Sequence, residues 1–293
     1  MERLQSDRAA DQARLDADRV LDDRRHEREL DHNRTDRYMR AVEQLASESP
    51  TIQIGGIYAL ERVAQESPVD RDMIVSLLCS FIRPTPAERR EQERSTPDGA
   101  PVVEDLGHPD VVRQTAAEVV VRGRGGWPPA LVDLSGAFLA YSNFVGGSLC
   151  QANLGGANLM FCNFQSADLR SAELNGFGTH LGMANFSYAN LTGAVLAGAN
   201  ATHVTFDHAD LTGANLQSAD LSCASFRNAD LSGANLTFAE LFDVDLGTAR
   251  IDGAVLRDAD LTRAHLTANQ REYAQSQGAK LASSGSDPDD PHG

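Results

Sequence analysis

The 293-residue chain is long enough for one or two domains, and 41% hydrophobic with 23% charged residues is ordinary for a soluble globular protein. Its formal net charge of −16 argues against electrostatic capture of nucleic acid or anionic lipid, because both need a basic surface. We therefore expect no direct nucleic acid binding and favour a protein partner with a basic surface.

The chain shows no sign of a membrane or secretory segment. No apolar run follows the charged N-terminus, and the longest apolar stretch, residues 73–82, is about half of the roughly 20 residues that a bilayer span needs. We therefore expect a cytoplasmic protein without a transmembrane helix. The cysteines have irregular spacings and no CxxC motif, which predicts reduced thiols rather than a metal site or a disulfide framework: Cys79, Cys150, Cys162 and Cys223.

Residues 1–37 alternate Asp and Glu with Arg and contain neither proline nor glycine. This pattern predicts a solvated helix with many ion pairs, and we leave open whether part of it is disordered. Its apolar residues do not keep a heptad, so a coiled coil is unsupported although the helix remains a candidate for oligomerisation: Leu4, Val20, Leu21 and Leu30.

Residues 38–126 are predicted to form a small α-helical domain. Apolar residues at helical spacing indicate three short helices, separated by breaks at 47–50 and 66–70. A proline-rich, charged loop is predicted at 84–108. A fourth helix is predicted at 108–123, with Pro109 in its first turn and Gly123 just after its end.

Residues 131–266 repeat a five-residue word. Its centre is Leu or Phe, Ala usually stands two residues earlier, and Asp or Asn often lies between them. The centres run from Leu134 to Leu174 and from Phe186 to Leu266, with Ala201 as one weak centre. Each word therefore has two inward residues that flank one outward residue, followed by two turn residues.

Phenylalanines indicate how many words close one coil. They recur at intervals of 20, or 22 across a disturbed stretch at 175–185 that carries two extra residues. Four words per coil would stack these rings in one structural column inside the coil: Phe144, Phe164, Phe186, Phe206 and Phe226. Alanine is expected at the other inward position because a second large side chain would overpack the interior.

The A(D/N)LXX word resembles the pentapeptide repeat family, and the resemblance covers residues 131–266. It implies a mainly β fold, namely a right-handed quadrilateral parallel β-helix preceded here by a small α-helical domain. Residues 36–67 also resemble the helical segment that precedes the repeats in many actinobacterial members. Some family members bind DNA gyrase and protect it from quinolones.

The C-terminal end carries its own stop signal. Thr267 and Gln270 have the spacing of a capping box, so residues 267–281 are predicted to form a helix that covers the last coil. This cap is a second candidate for oligomerisation. Residues 282–293 are predicted to be a disordered tail.

Acidic residues form the candidate interaction surface. Coils of four words place Asp220, Glu240 and Asp260 in one outer column, and Asp210 and Asp230 in another. No catalytic, cofactor or metal constellation is predicted: residues 176–182 miss the spacing of a phosphate loop, and His203 and His208 lie on adjacent sides. We therefore expect a non-enzymatic protein–protein interaction or scaffold module. The alternative is a DNA-mimicking topoisomerase binder that gives quinolone-type protection.

Overall fold

The chain folds as two compact units, Met1–Asp70 and Arg71–Gly293. The computed structural model describes residues 2–88, 90, 110–122 and 132–281, and within these ranges it describes side chains from residue 18 onward. The predicted tail at 282–293 and most of the predicted loop at 84–108 lie outside the described residues, as do Pro109 and Gly123.

The first unit contains helices α1, Glu2–Leu45, and α2, Pro50–Glu66. The boundary predicted at residue 37 falls inside α1, because the charged run contains no residue that would end a helix. Pro50 occupies the first turn of α2, where a helix leaves its N–H groups without acceptors. The Arg37 guanidinium binds the Glu66 carboxylate at 2.5 Å and ties α1 to the end of α2.

The second unit begins with helices α3, Arg71–Ile82, and α4, Val111–Arg122. Both bury an apolar face, in α3 around Leu78 and in α4 around Ala116. Residues 86–88 and 90 are also helical, although the sequence predicts a loop there. Glu88 holds Arg113 of α4 through a hydrogen bond of 2.8 Å, so this segment is fastened to the helix that precedes the repeats.

The repeats form a solenoid with 20 residues per coil. Parallel bridges occur at one residue of each word, and the first pairs Asp133 with Asn153. Because a bridge falls at every fifth residue and its partner lies 20 residues further on, four words make one coil. In the described repeats each side of the coil is paired through one residue only, so these sides are single-residue bridges rather than extended strands.

Each word ends in a tight turn. The N–H of the next inward residue donates to the carbonyl of the word's centre, as from Ala137 to Leu134 at 3.1 Å. The third residue of these turns has positive φ in nearly every word, +65° at Gly136 and +56° at Ser218. Glycine is favoured there because a side chain in this backbone region costs about 1 kcal/mol.

Leu and Ala fill the interior, together with one column of rings. Neighbouring rings in this column have centroids 4.6–5.3 Å apart, and each ring is at most 2% exposed: Phe144, Phe164, Phe186, Phe206 and Phe226. The structure therefore places all five predicted rings in contact along the axis.

The disturbed stretch is shorter than the sequence indicates. Leu181 is fully buried and His180 pairs with Asn158 and Asn200, so the word centred on Leu181 is regular. The two extra residues lie in the turn between Leu174 and Thr179. Thr179 closes this turn, because its hydroxyl donates to the Asn175 carbonyl and accepts from the Gly156 N–H, each at 2.7 Å.

Helix α4 covers the N-terminal end of the solenoid. In later coils the N–H of each outward residue donates to a carbonyl of the preceding coil. The first coil has no preceding coil that could accept these bonds. The Val121 carbonyl accepts from Ser148 N–H at 3.0 Å, and the Glu118 carboxylate accepts from Asn143 N–H at 3.3 Å. Two backbone donors of the exposed first edge are thereby satisfied.

Helix α5, Ala268–Ser276, covers the opposite end, and the predicted capping box of Thr267 and Gln270 is confirmed. The Gln270 amide donates to the Leu246 and Ala249 carbonyls at 2.7 and 2.9 Å, and the Tyr273 hydroxyl donates to Ala254 at 2.9 Å. The Ala249 and Ala254 carbonyls would otherwise lack the N–H donor that a following coil supplies, whereas the Leu246 carbonyl also accepts from Ala249 N–H in its own turn.

Candidate interaction surface of the solenoid

The acidic residues singled out from the sequence lie on two bridge ladders. Asp220 pairs with Glu240 and Glu240 with Asp260, whereas Asp210 pairs with Asp230 on another side of the coil. Rungs of a parallel ladder are about 4.8 Å apart, so the carboxylates of one ladder are close neighbours. Each ladder therefore presents a row of negative charge along the solenoid.

The aspartates of these ladders also stabilise their own turns. One carboxylate oxygen accepts from the N–H two residues later, as Asp220 does from Ser222 at 3.0 Å and Asp260 from Thr262 at 2.9 Å. Asparagine makes the same bond, for example Asn200 with Thr202 at 3.2 Å. This hydrogen bond explains why Asp and Asn occupy the position. The sequence analysis missed it, although the preference of these two residues for such turns was a usable signal.

Each ladder ends at a cation. Arg250 follows Asp230 in one ladder and its guanidinium lies 3.2 Å from that carboxylate. Lys280 follows Asp260 in the other. Hydrogen bonds from the side chain and backbone of Thr262 are the main cause that holds the pKa of Asp260 below its usual value, and Lys280 adds to the shift. Asp260 thus stays ionised at neutral pH.

Burial shifts the pKa of two thiols and one histidine. Burial raises the pKa of Cys79 to about 11, and it also raises the pKa of Cys162, so both stay protonated at neutral pH. His203 and His208 are exposed on different corners, and the His208 ring stacks on Tyr188. Burial lowers the pKa of His180, which favours its neutral form.

The described part of the chain carries neither a membrane-spanning helix nor a metal-binding cluster. None of its helices is long and apolar enough to cross a membrane. Within the same residues, no three His, Cys, Asp or Glu side chains are grouped so that they could hold a metal ion.

The 20-residue coils, the buried Leu and Ala and the capped ends define a repeat-protein solenoid. The family model for pentapeptide repeats matches eight copies in the ranges 142–177, 181–217, 209–247 and 239–268. The chain belongs to the pentapeptide repeat family through this part. No curated protein matches this chain.

Solved structures of pentapeptide repeat proteins are similar to part of this chain. HetL from the cyanobacterium Nostoc sp. strain PCC 7120, involved in heterocyst differentiation regulation, is 39% identical over 46% of this chain, with a TM-score of 0.27. This chain covers 61% of HetL. The alr5209 protein of Nostoc PCC 7120 is 31% identical over 41% of this chain and 84% of its own length, with a TM-score of 0.29.

A third similar structure is that of QnrB1, a plasmid-mediated fluoroquinolone resistance protein. It is 24% identical over 51% of this chain and 76% of its own length, with a TM-score of 0.25.

Proposed function

We propose that the protein is a non-enzymatic interaction or scaffold module that docks a basic protein surface on its acidic ladders. The solenoid is taken to be a right-handed quadrilateral β-helix. A cytoplasmic location is part of the proposal, because all four cysteines are unpaired and free thiols persist in reducing compartments.

The observation that carries the proposal is the ladder of Asp220, Glu240 and Asp260. Three carboxylates on consecutive rungs repel one another, and a partner that supplies cations relieves this repulsion. The turn hydrogen bonds hold Asp220 and Asp260 in fixed positions, so little side-chain entropy is lost on binding. A row of Arg or Lys side chains on a partner is the complementary surface.

The test is a triple neutralisation of the ladder, Asp220→Asn, Glu240→Gln and Asp260→Asn. Asparagine keeps the turn hydrogen bond, as at Asn200, so the fold should survive. A matched control neutralises three carboxylates that lie on corners of the same distal coils: Asp243, Asp252 and Asp258, each changed to Asn.

Wild-type protein and both variants would be used for affinity purification from the native host, followed by mass spectrometry. We expect a partner that wild type and control retain and the ladder variant loses, and a binding strength that falls as salt rises. Equal recovery with all three proteins would contradict docking on the ladder.

A topoisomerase-directed DNA mimic is the second candidate, and the same rows of carboxylates favour it. The scaffold is preferred because each acidic row is only two or three carboxylates long and ends at a cation, Arg250 or Lys280, whereas a DNA backbone carries no cation. Gyrase supercoiling with and without a quinolone distinguishes the two candidates. Inhibition or protection by wild type that the ladder variant loses would establish the mimic; no effect at a large molar excess would exclude it.

A further inference from the structure

The corner between Leu174 and Thr179 contains the one Asn-Gly pair of the sequence, Asn175 followed by Gly176. Every other asparagine in the chain precedes a residue that has a side chain. Because glycine has no Cβ, its backbone nitrogen can approach the side chain of a preceding asparagine closely. This approach is what the asparagine carboxamide needs in order to react with its own backbone.

The Asn175 carboxamide is unrestrained. Asn175 is exposed, and among the residues that the structure describes its side chain makes no hydrogen bond. The outward asparagines of the repeats differ, because their side-chain oxygens accept from the N–H two residues later, as Asn185 does from Ser187 at 2.9 Å. Those bonds hold the carboxamide in place, whereas that of Asn175 can rotate towards the following peptide.

The space around Gly176 leaves room for a ring to form. Its φ is 102°, and a Cβ placed there would meet nothing within 4 Å. The next residue, Phe177, is 86% exposed, and Gly178 is exposed as well. The backbone can therefore rotate at this corner without displacing a packed side chain.

Three hydrogen bonds hold the corner closed and oppose the reaction. The Gly176 N–H, whose nitrogen would be the nucleophile, donates to the Ala197 carbonyl at 2.8 Å. The Thr179 hydroxyl donates to the Asn175 carbonyl at 2.7 Å, and the Thr179 N–H donates to the Gly176 carbonyl at 2.9 Å. The reaction therefore requires local opening of the corner, and the Thr179 hydroxyl contributes to the cost of that opening.

We propose that Asn175 is a site of spontaneous deamidation whose rate is controlled by the Thr179 hydroxyl. The Gly176 nitrogen gives up its proton and forms a bond to the Asn175 Cγ, while the side-chain nitrogen takes up a proton and leaves as ammonia. Water then opens the cyclic imide at either carbonyl. The products are aspartate or isoaspartate, and the N–H of Gly176 is restored.

Either product adds a carboxylate to the corner that projects Phe177. Isoaspartate also lengthens the main chain by a carbon atom, in a corner that already carries extra residues. The bridges on both sides of this corner, Glu173–Val195 and His180–Asn200, do not involve the reacting pair. The pairing of the coils should therefore be retained, while the charge of the corner changes.

The test ages the full chain at mildly alkaline pH and follows each asparagine by peptide mapping with mass spectrometry. Wild type is compared with Thr179→Val, which removes the hydroxyl. Valine fits this inward position, since Val204 and Val244 are buried at equivalent positions of other words. Thr179→Ser is the matched control because it keeps the hydroxyl, and Ser142 is buried at an equivalent position.

We expect Asn175 to deamidate faster than any other asparagine in residues 132–281. Thr179→Val should accelerate the reaction by about two- to tenfold, the factor by which losing one hydrogen bond of ordinary strength increases local opening. Thr179→Ser should react at the wild-type rate. In denaturing urea all three proteins should react equally at Asn175, because the corner is then open in each of them.

A wild-type Asn175 that reacts no faster than the outward asparagines would overturn the proposed site. Equal rates in folded wild type and Thr179→Val would overturn control by the hydroxyl, as would equal acceleration by both substitutions. Rates that still differ in urea would show that the substitutions act on something other than the folded corner. The outcome is independent of the proposed function, because no residue of the acidic ladders is changed.

Discussion

At the scale of single residues, position within the five-residue word decides what a side chain contributes. Inward centres such as Phe206 are fully buried and stack on rings above and below, whereas the turn residue Phe238 is 49% exposed. The outward Asp or Asn accepts a hydrogen bond within its turn and also forms part of the solenoid surface. Residues of similar chemistry thus have different roles at different positions of the word.

Phe206→Ala should lower the free energy of unfolding by about 3–5 kcal/mol, because it removes a ring from the middle of the column and leaves a cavity. Phe238→Ala should cost under about 1 kcal/mol, since the ring loses little beyond its contact with the Arg257 guanidinium at 5.8 Å. Urea unfolding of both variants gives the comparison. Similar losses for the two would contradict a continuous column of rings.

At the scale of elements, neighbouring glycines in α2 have opposite roles. A Cβ at Gly55 would meet nothing within 4 Å, whereas one at Gly56 would lie 2.8 Å from the Ala41 carbonyl oxygen and 2.9 Å from Gln44 Cβ. Gly56 therefore lets α1 and α2 approach closely. Gly55 has no such contact, so its main effect on stability is the entropic cost of placing a glycine in a helix.

Gly55→Ala should stabilise the α1–α2 unit by about 0.5–1 kcal/mol, since alanine restricts the unfolded chain and favours the helix. Gly56→Ala should destabilise it by about 1–3 kcal/mol, because the helices must separate. Thermal loss of the helical circular dichroism signal reports on both. If both substitutions shifted the melting temperature in the same direction, the close approach of α1 at Gly56 would not distinguish the two glycines.

The repeat pattern allowed the coil, the ring column and the C-terminal capping box to be predicted, because each depends on local spacing. Leu181 was missed as a centre because the extra residues hid its phase. The helix at 86–88 was missed because prolines dominated the local signal. The boundary at residue 37 was placed at the change from charged to amphipathic sequence, and such a change does not end a helix where no proline or glycine accompanies it.

The acidic candidates were found because a 20-residue period fixes which outward positions align. Their hydrogen bonds to the turns were not found, since they depend on the backbone geometry of each corner. The uncharged side of the first coils, at 141–146, 161–166 and 183–188, was missed for a different reason. It consists of absent charges at residues far apart in sequence, and it becomes visible only when three coils are stacked.

At the scale of the whole molecule, Arg71–Gly293 forms one compact unit, so α3 belongs with the solenoid. Arg83, just after α3, pairs with Asp133 of the first coil, and α4 caps that coil. A fragment that begins at residue 108, where the fourth helix is predicted to start, lacks the α3 surface on which α4 packs.

A fragment of residues 71–281 should fold and stay monomeric at low micromolar concentration. Ending the fragment at Leu266 removes Gln270 and Tyr273 from the carbonyls that they bind, so an open edge should drive association. Size-exclusion chromatography with light scattering compares the two. A soluble, monomeric fragment ending at 266 would show that α5 is not needed as a cap.

The extra residues between Leu174 and Thr179 change the pairing interval from 20 to 22 for four successive bridges, and the interval returns to 20 at His180–Asn200. Every later bridge keeps its partner. Chain length is thus uncoupled from register at a corner, and the inserted residues project Phe177 with 86% of its surface exposed. Residues inserted at a corner can therefore add exposed surface to one coil. The bridge pairing of the coils that follow is unchanged.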